Sequence, residues 1–290
     1  MSKARLVTFS TTVEDIGYPD LELYQLRLRR SAHKIGIGSV DLWTRTRLKR
    51  TQFFERNREL LQEKRGAGYW IWKPYIIQEA LNEVEVGDFV IYSDCTTVFH
   101  SSLNVLLELC AENKGYFLIT QDSQGRNGRY TKRDAFVLMD CDTPHYRNST
   151  MTEAFFQIYQ KNDHTIKFVN KYLEFCENPA IVTDSANIME RENFNEFVTH
   201  KHDMSVLSLL RLMNDIPGFR NPSQWGNHQK MEAYRREGEF LAKGYQDVLM
   251  NSPYDSIMGW REDTENLKRP WHHYIQAAKV MGAFRRILGQ

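Results

Sequence analysis

The 290-residue chain predicts an α/β fold in which a mostly parallel sheet is flanked by helices and followed by a C-terminal helical or irregular extension. Three observations predict it. Short β-branched and aromatic runs alternate with helical stretches, a pattern that favours parallel strands with helices on both faces. The runs at 5–10, 89–94 and 116–122 each pass from apolar residues to a polar or acidic one, as strands do where ligands gather beyond the C-terminal edge of a sheet. Past Pro217-Gly218 the composition turns polar with scattered Trp and Tyr, which divides the chain into residues 1–215 and an extension over 216–290 packed on them.

The elements follow in order. Arg5-Leu-Val-Thr-Phe-Ser10 reads as the first strand, opening into Thr11-Thr12. Residues 21–64 read as helices around a loop at Gly36-Ile-Gly38, with Phe53, Leu60 and Leu61 supplying part of an apolar stripe. Gly68-Tyr-Trp-Ile-Trp-Lys73-Pro-Tyr-Ile-Ile is an aromatic turn that enters a helix, and Gly87-Asp-Phe-Val-Ile-Tyr-Ser-Asp94 is a buried strand stopping on an acid. Residues 103–109 read as a helix, 116–120 as a strand, 135–139 as a strand leading to Asp140, and 151–159 and 166–176 as helices. Asn178-Pro179 breaks the pattern, 180–183 is strand-like, and a helix with one strongly apolar face begins at Asp203.

Composition narrows the function classes. A hydrophobic fraction of 41% and a charged fraction of 26% exclude a disordered or fibrous chain. The net charge of +1 gives no whole-molecule field for nucleic acid or membranes. The polar start and the lack of any long apolar run predict a soluble, cytoplasmic protein without a membrane span. Four cysteines without a Cys-x-x-Cys pair point to neither a structural zinc nor a disulfide framework. Positive charge concentrates in Arg27, Arg29, Arg30, Lys34, Arg45, Arg47, Lys49 and Arg50, a solvated face or, if the residues converge, a phosphate-binding surface.

The candidate chemistry centres on a sugar nucleotide. Its diphosphate must be neutralised as the glycosyl group leaves, which proteins achieve with a divalent metal, basic side chains or helix N-termini. Thr8 and Ser10 fall at the open end of the first strand. Tyr69, Trp70 and Trp72 offer flat surfaces for a base or sugar, Lys73 can reach a phosphate, and Asp94 suits a ribose hydroxyl or a metal. His200, His202 and Asp203 sit where a helix begins: His202 is a candidate metal ligand or diphosphate contact, and Asp203 a partner for a sugar hydroxyl or an oxocarbenium charge. The plain alternatives are a packed aromatic cluster with a capping lysine, and an Asp203 that only caps its helix between solvated histidines. The loop at 121–129 and the tail's His272 and His273 are weaker candidates.

Three blocks then recur in a known order. Gly66-Ala-Gly-Tyr-Trp-Ile-Trp-Lys-Pro-Tyr75, Gly87-Asp-Phe-Val-Ile-Tyr-Ser-Asp94 and His200-Lys-His-Asp-Met-Ser-Val-Leu-Ser-Leu-Leu210, with Tyr130-Thr-Lys-Arg-Asp-Ala-Phe136 between them, resemble blocks of bacterial and viral glycosyltransferase-like proteins of the GT-A superfamily. The likeness covers roughly residues 5–212. It implies a Rossmann-like GT-A domain over 1–215 that takes a nucleotide-sugar donor. It also implies Lys73 and Asp203 as catalytic, and Thr8, Ser10, Tyr69, Trp72, Lys73, Asp94 and His202 as donor-binding. Asp94 and His202 are the candidate ligands for Mn²⁺ or Mg²⁺. Two positions depart from the pattern: Asp94-Cys-Thr96 replaces the usual Asp-x-Asp, and Met204 stands in place of a glutamine.

The resemblance implies a glycosyltransferase, hexosyl or pentosyl, acting on a hydroxyl-bearing acceptor, foremost a glycan, with retention of configuration favoured. Two alternatives stand beside it. One is transfer to hydroxymethylated bases of viral DNA through the basic 27–50 region; the other is an inactive module that binds a nucleotide or glycan.

Overall fold

The computed structural model describes residues 3–11, 21–120, 125–223, 254 and 256–260. Its elements in chain order are strand β1 (Ala4–Ser10), helix α1 (Glu22–Lys34), β2 (Ser39–Thr44), α2 (Trp72–Glu83), β3 (Phe89–Ser93) and β4 (Thr97–Phe99). There follow α3 (Asn104–Glu112), β5 (Tyr116–Thr120), α4 (Arg133–Leu138), β6 (Thr152–Gln160), α5 (Asp163–Cys176), α6 (Asp203–Met213) and β7 (Met258–Trp260), with shorter helical turns between.

The central sheet runs β2-β1-β3-β6-β5. β1 is parallel to β2 and to β3, while β6 is antiparallel to β3 and to β5. Four of the five strands therefore share one direction, and the sheet is mostly parallel. A separate antiparallel pair joins β4 to β7.

Alternation along the strands makes two cores. Val7, Phe9, Val90 and Tyr92 face one of them, with Ile76 and Ile77 of α2, Phe168 and Tyr172 of α5, and Val206 and Leu210 of α6. Leu6, Phe89 and Ile91 face the other, with Leu28 of α1 and Leu106 of α3. Local chemistry sets the helix starts. Asn162 accepts from the His164 and Thr165 amides while Thr165 answers the Asn162 amide, a reciprocal cap on α5.

Several expectations are corrected. Residues 151–159 are not a helix but β6, seated between β3 and β5. Nearly every residue of β6 is buried, so no period-two alternation marks it, and only its Phe, Ile, Tyr and Thr content signals a strand. Residues 135–139 are not a strand: the run belongs to α4, and a five-residue apolar stretch reads the same in both states. Asp140 thus lies in a turn after a helix, at φ 54°. Residues 180–182 fall in a helical turn, Pro179–Val182, where Asn178 caps the Ala180 amide at 3.0 Å and Pro179 pre-sets the first φ, and only Thr183 after it is extended. Within 21–64, β2 is a strand rather than helix, an edge strand whose half-exposed side chains conceal it.

The basic N-terminal run is divided. Arg27, Arg29, Arg30 and Lys34 lie on α1. Arg45 donates to the Leu61 carbonyl, and Arg47 pairs with Asp41 at 3.3 Å and stacks 3.7 Å from Trp43. The arrangement lends no support to a DNA acceptor. Among the described residues no helix is long and apolar enough to cross a membrane. His272, His273, Asp122 and most of the 216–290 extension lie outside the described residues.

Candidate functional site

Lys73 comes from the first turn of α2, Asp94 from the residue after β3 and Asp203 from the first turn of α6. Three elements bring them together. Lys73 Nζ lies 2.9 Å from Asp203 Oδ2 and 3.8 Å from Asp94 Oδ1. Tyr92 donates its hydroxyl to Asp94 Oδ1 at 2.6 Å, and the Tyr172 hydroxyl approaches Asp203 Oδ2 at 3.4 Å. The Asp94 amide is fixed by the Phe155 carbonyl at 2.8 Å, so β6 anchors the acid that β3 presents.

Exposure separates the three. The side chains of Lys73 and Asp203 are each 5% exposed, whereas that of Asp94 is 35% exposed. Burial opposes the charge on Lys73, but Asp203 and Asp94 outweigh it and raise the ammonium's pKa above its ordinary value. Burial also pushes the Asp203 carboxyl up, with Lys73 drawing it back. Burial and the neighbouring Asp94 hold the Tyr92 phenol protonated, and burial with Asp203 does the same for Tyr172 and for the Cys176 thiol. Asp203 is thus tied to a lysine in the interior as well as to the Met204 amide of its own first turn.

The aromatic block has an unusual backbone. Gly66, Ala67, Gly68, Tyr69 and Trp70 are five consecutive residues at positive φ: 58°, 52°, 100°, 51° and 60°. They form one left-handed turn, closed by the Tyr69 amide on the Arg65 carbonyl at 2.7 Å and the Trp70 amide on Gly66 at 3.2 Å. Each non-glycine residue there costs about 1–2 kcal/mol. A Cβ on Gly68 would stand 2.7 Å from Leu61 Cα, so the turn needs glycine for close approach as well as for φ. Trp72 locks the turn by donating Nε1 to the Gly66 carbonyl at 2.9 Å and stacking on Phe9 at 3.9 Å.

What the turn displays is a wall around His202. Tyr69 and Trp70 lie 5.0 and 5.5 Å from the imidazole, ring centre to ring centre. His202 Nδ1 meets the Val182 carbonyl at 2.8 Å, so that nitrogen carries the proton, and Nε2 accepts from Arg65 Nε at 2.8 Å. His200 is held the same way, donating from Nε2 to the Ile181 carbonyl at 2.8 Å and accepting the Lys132 amide at 3.2 Å. Both histidines are buried rather than solvated, and burial holds both pKa values below the ordinary one, most strongly at His200. Thr8 and Ser10 are buried at the end of β1: Ser10 donates to Gln25 at 3.1 Å, while the Thr8 hydroxyl has no partner.

A divalent ion fits this donor set poorly. Both His202 nitrogens are engaged, and among the described residues no three His, Cys, Asp or Glu side chains gather as ligands. Asp94 keeps its Oδ2 clear of the Tyr92 and Lys73 contacts, so a hard cation there would take its remaining ligands from phosphate and water.

Sequence reasoning missed Arg65, Asp184, Tyr92 and Tyr172 as members of the site. The Gly66-Ala-Gly68 spacing was the available signal for Arg65, since paired glycines mark a turn that re-aims its neighbours.

No protein-family model matches the chain, and no curated protein matches it. Solved structures do. The apo structure of the bifunctional glycosyltransferase WbbM is 10% identical, matching 90% of this chain and 46% of that one with a TM-score of 0.50. The apo form of mouse xyloside xylosyltransferase 1 is 9% identical over 92% of this chain and 99% of that one, at a TM-score of 0.43. GlyE of Streptococcus pneumoniae TIGR4 is 13% identical over 94% of this chain and 56% of that one, at 0.40. The chain spans about half the length of WbbM and of GlyE. The mixed α/β fold of this chain is thus similar to that of a solved glycosyltransferase structure.

Proposed function

We propose that this protein is a glycosyltransferase that moves a sugar from a nucleotide-sugar donor to a hydroxyl group of a glycan acceptor. The observation that carries the reading is the meeting of Lys73, Asp94 and Asp203 at the C-terminal end of β3, the edge where open α/β sheets hold ligands. In transfer, the bond from the sugar's anomeric carbon to the diphosphate breaks and the electron pair leaves with the phosphate. A new bond forms from the acceptor oxygen to that carbon, and the acceptor's proton passes out to a base. With retention of configuration, the departing phosphate oxygen takes that proton on the same face.

Asp94, the exposed member, is the group that meets the donor, at a ribose or sugar hydroxyl. Lys73 and Asp203 act beneath it as positioning residues. Their pairing fixes a positive charge under Asp94, orients its carboxylate and keeps a preorganised field where charge develops, at no cost in reorganisation. Tyr92 completes the fixation from the strand side. Tyr69 and Trp70 line the approach for a base or sugar, while Trp72 is buried against Phe9 and holds the turn that displays them.

The test is a screen of nucleotide-sugars for hydrolysis and for transfer to carbohydrate acceptors, followed by Asp94→Asn. We expect turnover of at least one donor and a loss of about a hundredfold or more in the variant, the scale of a lost electrostatic contact. A near-normal rate in Asp94→Asn removes the site assignment. Thr96, standing where a second acid is usual, motivates one competing reading, a binding module. A well-folded sample that turns over no nucleotide-sugar, with or without Mn²⁺, decides for it.

A further inference from the structure

Arg65 and Lys201 lie outside the Lys73–Asp94–Asp203 cluster, yet both adjoin His202. Arg65 enters the left-handed turn, and Lys201 directly precedes the histidine. Arg65 is braced along one edge: its Nε donates to His202 Nε2 at 2.8 Å and lies 3.2 Å from Asp184 Oδ2. The brace engages Nε and leaves the side chain 51% exposed. His202 can only accept from this arginine, because the Val182 carbonyl fixes its proton on Nδ1.

Lys201 is half-buried over the Tyr130 ring, with Nζ 5.5 Å from the ring centre. Among the described residues no carboxylate lies within ion-pair distance of it. The Arg65 charge is felt at Lys201 and at His202. A third cation, Lys132, is consumed by the Ser185 carbonyl and hydroxyl at 2.8 and 3.3 Å. Arg65 thus has the carboxylate of Asp184, while Lys201 has none within ion-pair distance among the described residues, and the two cations lie beside an aromatic wall of Tyr69 and Trp70. A partly desolvated cation without a counter-ion is costly unless an anion completes it.

We propose that Arg65 and Lys201 form a receptor for a phosphoryl group of a substrate, Arg65 presenting its fork and Lys201 a point charge to the phosphate oxygens. The proposal rests on the glycosyltransferase reading and deepens it. The phosphate can belong to the donor's diphosphate or to a phosphorylated acceptor, and the same receptor chemistry serves either.

The probe is inorganic pyrophosphate, titrated calorimetrically into the full chain at low salt. We expect measurable binding that weakens about tenfold or more in Arg65→Ala and in Lys201→Met, the scale of a lost charge-assisted contact, with Arg65→Lys intermediate. Lys201→Met keeps the buried stem and carries the test should Arg65→Ala fail to fold, as read by circular dichroism. Parallel titrations with UDP, GDP and glucose 1-phosphate assign the source. Loss confined to the nucleotides points to the donor, and loss confined to the sugar phosphate to the acceptor. Absence of pyrophosphate binding to the unaltered protein, or affinity within twofold of it in folded Lys201→Met and Arg65→Ala, overturns the receptor. Because pyrophosphate binding needs no turnover, a protein that binds it through Arg65 and Lys201 yet transfers no sugar sinks the glycosyltransferase reading alone.

Discussion

Lys73 keeps its charge inside the protein only because two carboxylates hold it there. Removing it leaves Asp203 buried with the Tyr172 hydroxyl and no cation, so Lys73→Met should destabilise the fold by about 3–5 kcal/mol, the usual result of breaking a buried pair. Lys73→Met combined with Asp203→Asn should recover at least about half of that loss, since the uncompensated charge is gone. Urea denaturation of the two variants checks it, and a double variant no more stable than the single one would show that the pair does not act as a unit. The same geometry separates the residues' tasks. Asp94 is open to a ligand, while Lys73 and Asp203 work through it. That division was not legible in the sequence, which places all three at element ends but says nothing of depth.

Among the elements, the left-handed turn before α2 departs furthest from ordinary backbone. Gly68 sits at φ 100° with its missing Cβ aimed at the Leu60–Leu61 backbone. Gly68→Ala should therefore cost about 2 kcal/mol or more, through forced φ and contact together. Transfer activity should fall in parallel, because Tyr69 and Trp70 are displayed by this turn. Chemical denaturation and a rate assay measure the two effects, and an alanine variant of full stability would contradict the account. The elements also show where the sequence was readable. β1, β3, β5, α3, α5 and α6 stood out because apolar runs of the right length mark them. β6 and α4 did not, because a fully buried strand carries no alternation and a short apolar run fits either state. Of the site, the residue types of Lys73, Asp94, His202 and Asp203 could be picked out from their blocks. Arg65 and Asp184 meet His202 only through folding across 137 residues in one case and through space in the other.

For the molecule as a whole, the two buried histidines set the response to acid. His200 and His202 are held neutral in the folded state, with pKa values below the ordinary 6.5. Well above 6.5 neither binds a proton in either state, so stability does not depend on them there. As pH falls below 6.5 the unfolded chain takes up their protons first, and the fold loses stability down to the lowered folded values. The limiting slope is about 1.4 kcal/mol per pH unit for each histidine. Asp203, whose folded pKa is raised, acts in the opposite direction at lower pH, where the folded state binds its proton ahead of the unfolded one. Denaturant titrations at pH 7.5, 6 and 5 should show the decline, and a flat profile between 7 and 5 would contradict the burial of these rings.

The place of β6 in the sheet has a consequence for synthesis on the ribosome. β1, β2 and β3 are complete once residue 93 has emerged, but β3 then ends in a bare hydrogen-bonding edge, and β5 follows without a neighbour until residues 152–160 arrive to fit between them. A nascent chain paused between the two points carries open strand edges, the usual template for pairing with another chain. Slow translation through 121–151, or a product cut short there, should therefore favour aggregation, whereas once Gln160 has emerged both of these edges are closed.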